Sequence, residues 1–159
     1  MGHYVRVFCA SFPAPSINKV LNWSESDGYQ LKVDPRFALM DLDSPNWKQT
    51  GLLYEVGEPP FLCEVDHKDD SDTSLVRQEV RHFEELLAAA GNTEGQHKAL
   101  QHIRQTEYIV SIQTPSDFDE QGSDVLSSLL TYFIRYCAGM VQVDGEGFYD
   151  GDELIVKLE

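Results

Sequence analysis

The chain has 159 residues, 42% from the hydrophobic set and 11% aromatic, enough to bury roughly two-thirds of its unfolded surface in one domain. That composition excludes a fibrous or intrinsically disordered chain. Subtracting 27 acidic from 12 basic side chains leaves a formal charge of −15 and a pI near 4.5, which excludes recognition of nucleic acid through its phosphate backbone.

Residues 4–12 alternate, with Val5, Val7 and Cys9 on one side and Tyr4, Phe8 and Phe12 on the other, so they predict a strand buried on both faces near the centre of a sheet. Pro13 and Pro15 stop it. Ser16 then caps a short helix whose Ile17, Val20 and Leu21 share one side, and Gly28 ends that helix. Tyr29, Leu31 and Val33 predict a half-exposed strand, and residues 36–46 show no clean period and predict a loop. From Trp47 to His67 two extended runs flank Gly57-Glu58-Pro59-Pro60, the pattern of a hairpin, with Leu52, Tyr54 and Val56 on one face.

Val76, Val80, Phe83 and Leu87 recur at helical spacing up to Gly91-Asn92, and Thr93 with Gln96 has the spacing of a capping box that opens a second helix over residues 94–105. Tyr108 to Gln113 predicts another strand, closed by Thr114-Pro115. Residues 123–138 predict a long helix with Val125, Leu126, Leu129, Leu130, Phe133, Ile134 and Cys137 on one broad inward face and Ser127, Ser128, Thr131 and Arg135 outward. After Gly139, the turns at Asp144-Gly145 and Asp150-Gly151-Asp152 separate three short strands, the last at residues 154–156. The expected fold is α+β: one domain, 1–159, with a largely antiparallel sheet of six to seven strands, helices packed on one side and ferredoxin-like character. The element order suggests a βαββ duplication with halves 1–105 and 106–159.

No basic segment followed by a long apolar run opens the chain, and the stretch 125–143 is too amphipathic to span a bilayer. Cys9, Cys63 and Cys137 lie in apolar periodic segments and fit reduced thiols, so a cytoplasmic protein without a membrane partner is expected. His97 and His102 are five apart, roughly 140° around a helix, and do not chelate one ion. HExxH, GxSxG, EF-hand, phosphate-loop and dinucleotide patterns are lacking, so the sequence assigns no catalytic residue, metal or cofactor. Asp66 and His67, at the end of a predicted strand, are the alternative: with the acidic residues near the C-terminus they would form the site of a small metal-dependent hydrolase or other enzyme.

Charge carries the main expectation. Acidic residues fall in predicted turns, and turns gathered at one end of the molecule would concentrate a negative field that draws in a basic protein. Small acidic domains of this kind serve as adaptors or as inhibitors, immunity proteins against basic toxins among them. The expected contact surface comprises Asp66, Asp69, Asp70, Asp144, Glu146, Asp150 and Asp152, edged by Trp47, Tyr54, Phe148 and Tyr149. The strand at 154–156 is the candidate edge for self-pairing into a homodimer.

Overall fold

The computed structural model describes residues 3–37, 39–69, 74–115 and 119–158. In chain order the elements are β1 (His3–Cys9), α1 (Ile17–Ser26), β2 (Lys32–Val33), β3 (Gln49–Leu53), β4 (Phe61–His67), α2 (Leu75–Ala89), α3 (Glu94–Ile103), β5 (Tyr108–Thr114), α4 (Glu120–Tyr136), β6 (Gly139–Val143), β7 (Gly147–Asp150) and β8 (Glu153–Lys157), with a 3-10 turn at Pro35–Phe37. The strands form one sheet in the order β2-β3-β4-β5-β1-β6-β7-β8, and every neighbouring pair is antiparallel.

β1 is central, as its two-sided pattern predicts. Val5 and Val7 face Ile112 and Val110 of β5 on one flank and Val143 and Val141 of β6 on the other. This row, with Cys63 and Val65 from β4, packs under α1 and α4. Phe8, Ile109, Met140 and Phe148 point to the opposite face and pack under α2 and α3. The expected six to seven strands with helices on one side are thus corrected to eight strands with a helix pair on each face. The physical reason lies in β1 itself: a strand apolar on both sides needs cover on both.

The order strand, helix, three strands occurs twice, as β1-α1-β2-β3-β4 and β5-α4-β6-β7-β8. The pairing is not repeated. β5 bonds to the last strand of the first meander, whereas β1 bonds to the first strand of the second.

Local chemistry sets most boundaries. Ser16 Oγ accepts from Lys19 N at 3.3 Å and Thr93 Oγ1 from Gln96 N at 3.1 Å, the two caps that the spacing predicts. α4 starts before residue 123 because Asp119 caps it, accepting from Gly122 N at 2.8 Å. Ser128, expected on the outward side of that helix, is buried where α1 crosses: its hydroxyl donates to Asp27 Oδ2 at 2.6 Å and its carbonyl accepts from Trp23 Nε1 at 2.9 Å. The strand expected from Tyr29 shortens to β2 because Tyr29 N still donates to Ser24 O as the helix unwinds. Phe12 lies beyond β1 and is exposed. The three cysteines are free and buried. Among the described residues no helix is long and apolar enough to cross a membrane.

Candidate functional site

Register decides which turns share an end of the sheet. His67, Tyr108, Cys9 and Gly139 are paired across one end; Leu62 pairs with Gln113 near the other, where His3 pairs with Thr114. The β6–β7 turn with Asp144 and Glu146 lies at the second end, and the β7–β8 turn with Asp150 and Asp152 at the first. These two groups are one strand length apart, roughly 13 Å. Asp66 and Asp69 also sit at the first end, yet β4 and β7 are four sheet positions apart, roughly 19 Å. Asp150 is engaged by the Lys98 ammonium of α3. A single acidic pole built from these residues is therefore corrected to separate groups at two ends, because consecutive turns of a meander alternate ends. Asp70 lies outside the described residues.

The aromatic edge is also corrected. Trp47, Tyr54 and Phe148 are 6%, 7% and 0% exposed. Trp47 donates from Nε1 to Pro15 O at 2.8 Å, and Phe148 packs against Phe8 and edge-to-face against Phe83, so both belong to the core. Tyr149 is half-buried and its hydroxyl donates to Glu146.

Asp66 and His67 are successive residues of β4 and point to opposite faces. His67 Nε2 lies 3.3 Å from Trp47 O, and its ring packs against Tyr108. Burial pushes the Asp66 carboxyl above the usual carboxylate range, with the neighbouring His67 opposing the shift. The two groups do not converge on one reacting centre.

What the structure does bring together is Glu55, Glu58 and Asp119, each offering a carboxylate oxygen within 4.8 Å of the other two. Glu55 and Glu58 come from the β3–β4 turn, whose backbone reverses at Gly57 with φ +89°. Asp119 comes from the start of α4 and is held by Gly122 N and by the Tyr54 hydroxyl, which donates to Oδ1 at 3.1 Å. Burial, the bond to Asp119 and the charges of Asp119 and Glu58 push the Tyr54 phenol up. Val56, between the two glutamates, is 99% exposed, so β3 ends short of it and the expected face of Leu52, Tyr54 and Val56 is broken at the turn. Glu55 and Glu58 carry the sequence signal of acidic residues flanking a glycine turn. Their meeting with Asp119 depends on the β5–α4 connection and is not a local property.

Fold and site together define an α+β domain with an eight-stranded antiparallel sheet covered by two helices on each face, and with carboxylates crowded around an exposed apolar turn tip. No protein-family model, curated protein or solved structure matches the chain.

Proposed function

We propose that this chain is a binding domain, of adaptor or inhibitor type, that recognises a basic protein partner without transforming it. The observation that carries the reading is the Glu55, Glu58 and Asp119 cluster around Val56. Carboxylates held this close repel one another, and a lysine or arginine delivered by a partner relieves that repulsion while Val56 supplies apolar contact. The net charge of −15 adds long-range attraction that speeds encounter.

The test is affinity capture from extract of the source cells at low salt, with the wild-type chain beside Glu55→Lys/Glu58→Lys. A basic protein held by the wild type and released by the double variant or by raised salt is the expected result. Equal retention by both chains, or a retained partner that is not basic, would refute the reading.

A further inference from the structure

A pocket of about 490 Å³ opens between residues 13–15, α1 and the last turn of α4. Lys19, Asn22, Trp23 and Ser26 recur at helical spacing, so α1 turns them toward it as one stripe. Tyr132 and Tyr136, one turn apart on α4, form the facing wall. The three rings pack as a triangle: the Trp23 centroid lies 6.0 Å from that of Tyr132 and 5.5 Å from that of Tyr136, and the two tyrosines are 5.4 Å apart. Trp23 is fixed by its Nε1 bond to Ser128 O, so this aromatic platform is set before a ligand arrives.

Several polar groups around the platform are donors without partners. Among the described residues the Lys19 ammonium makes no ion pair or hydrogen bond, and the Asn22 side-chain amide makes no hydrogen bond. Tyr132 is 8% exposed, yet its hydroxyl also lacks a hydrogen-bond partner among these residues and is not sealed from the pocket. A buried phenol ordinarily has one. Burial, with the nearby Cys137 and Tyr136, pushes that phenol up to about 12, so it stays a donor at neutral pH. Burial likewise pushes the Cys137 thiol up, with Tyr108 and Lys19 opposing the shift, so no thiolate competes for the ammonium. No carboxylate lines the pocket, and Arg135 brings a second cation to 6.0 Å from the Trp23 ring centre.

From this geometry we infer that the pocket between α1 and α4 binds an aromatic carboxylate, its ring on Trp23 and Tyr136 and its carboxylate on the donors of Lys19, Asn22 and Tyr132. Hydrogen bonds to an ionised acceptor are about twice as strong as neutral ones, and here the donors stand ready beside an apolar surface. A cationic ligand would meet Lys19 and Arg135 with no carboxylate to receive it, and a plain arene would leave the Tyr132 hydroxyl without an acceptor. One ammonium does not hold a long polyanion against a net charge of −15. The volume lies in the range of small-molecule pockets, room for one ring and its acidic arm. A free aromatic acid offers this chemistry, and so does the C-terminal carboxylate of a peptide that ends in an aromatic residue. The site is independent of the acidic turn cluster, which gathers at the start of α4.

The experiment is titration of the full chain with phenylpropionate, with its neutral amide and with N-acetyl-glycylphenylalanine, followed by the indole N–H resonances. Saturable binding of the acids should shift the Trp23 signal and leave that of the buried Trp47 in place, a readout that needs no variant. The amide should bind about tenfold more weakly than phenylpropionate. Lys19→Met should weaken the acid about tenfold and Tyr132→Phe about fivefold, whereas Lys32→Gln on the far edge strand should leave its affinity unchanged. Tighter binding of phenylpropionate assigns a free aromatic acid, and tighter binding of the acetylated dipeptide a chain terminus. Absence of saturable binding to both acids, equal affinity for the amide, affinity unchanged by both Lys19→Met and Tyr132→Phe, or shifts confined to Trp47 would overturn the assignment.

Discussion

Arg6 shows how one residue ties two layers of this molecule together. From the middle of β1 its Nη1 donates to Asp144 Oδ1 at 2.6 Å and to Gln142 Oε1 at 2.9 Å. Its Nε lies 3.3 Å from Glu79 Oε2 on α2, and its guanidinium carbon sits 5.5 Å from the centre of the Phe83 ring. The Glu79 contact is an ion pair by distance but not a hydrogen bond, so Glu79 Oε2, which is shielded from water, depends on the Arg6 charge. Replacing Arg6 by methionine keeps the stem and removes the charge. Because both side chains are partly exposed, the cost is expected to be about 2 kcal/mol, less than for a fully buried pair. Urea unfolding measures it. Arg6→Met combined with Glu79→Gln should recover about half of the loss. Strict additivity of the two single changes would show that Glu79 is not coupled to Arg6.

At the scale of elements, Asp119 has two tasks that substitution can separate. Its carboxylate caps α4 and accepts from Tyr54, and its charge belongs to the cluster with Glu55 and Glu58. Asp119→Ala is expected to cost about 1–2 kcal/mol in thermal or chemical unfolding, through the lost cap and a buried phenol left without its acceptor. Asp119→Asn should retain most of the cap while removing the charge. If the alanine variant were as stable as the wild type, the cap would not hold the start of α4.

Caps of this kind were legible in the sequence where donor and acceptor are neighbours, as at Ser16 and Thr93. The inward stripes of α1, α2 and α4 and the two-sided burial of β1 were legible for the same reason, since periodicity is a local record of burial. Which face of the sheet α2 and α3 cover was not, because an amphipathic stripe marks the buried side of a helix and not the surface it meets. Ser128 was misplaced on the same ground: α1 arrives from a hundred residues away in sequence and turns a polar position inward. For the site, residue type was readable and location was not. The alternation of meander turns could have separated Asp144 from Asp150, whereas the convergence of Glu55 and Glu58 with Asp119 required the start of α4 to meet the β3–β4 turn, sixty residues away in sequence.

At the scale of the whole molecule, folding compresses a net charge of −15 into a small volume, and local ion pairs such as Arg6–Asp144 and Arg104–Glu84 offset only part of the repulsion. Ions screen the remainder over roughly 10 Å at 0.1 M salt, so the melting temperature should rise between low and physiological ionic strength. The pH dependence has two opposed contributions. Asp34 is hydrogen-bonded by Arg36, which holds its carboxyl below the usual range; its contribution is present above the ordinary carboxyl pKa and is lost as pH falls through the depressed folded value. Asp66 is raised by burial, so its contribution is full below the ordinary carboxyl pKa and is lost as pH rises through the elevated folded value. Lowering pH from 8 therefore relieves both general repulsion and the desolvated Asp66 charge before Asp34 begins to protonate. Stability should peak on the acidic side of neutrality, above the depressed Asp34 value. Asp66→Asn removes the charged state that burial penalises: it should raise the melting temperature at pH 7 and flatten the rise that accompanies acidification through the elevated Asp66 value. Melting curves from pH 8 down to pH 3 at fixed ionic strength decide the matter, and a variant whose profile runs parallel to the wild type would show that the buried Asp66 charge does not set the slope.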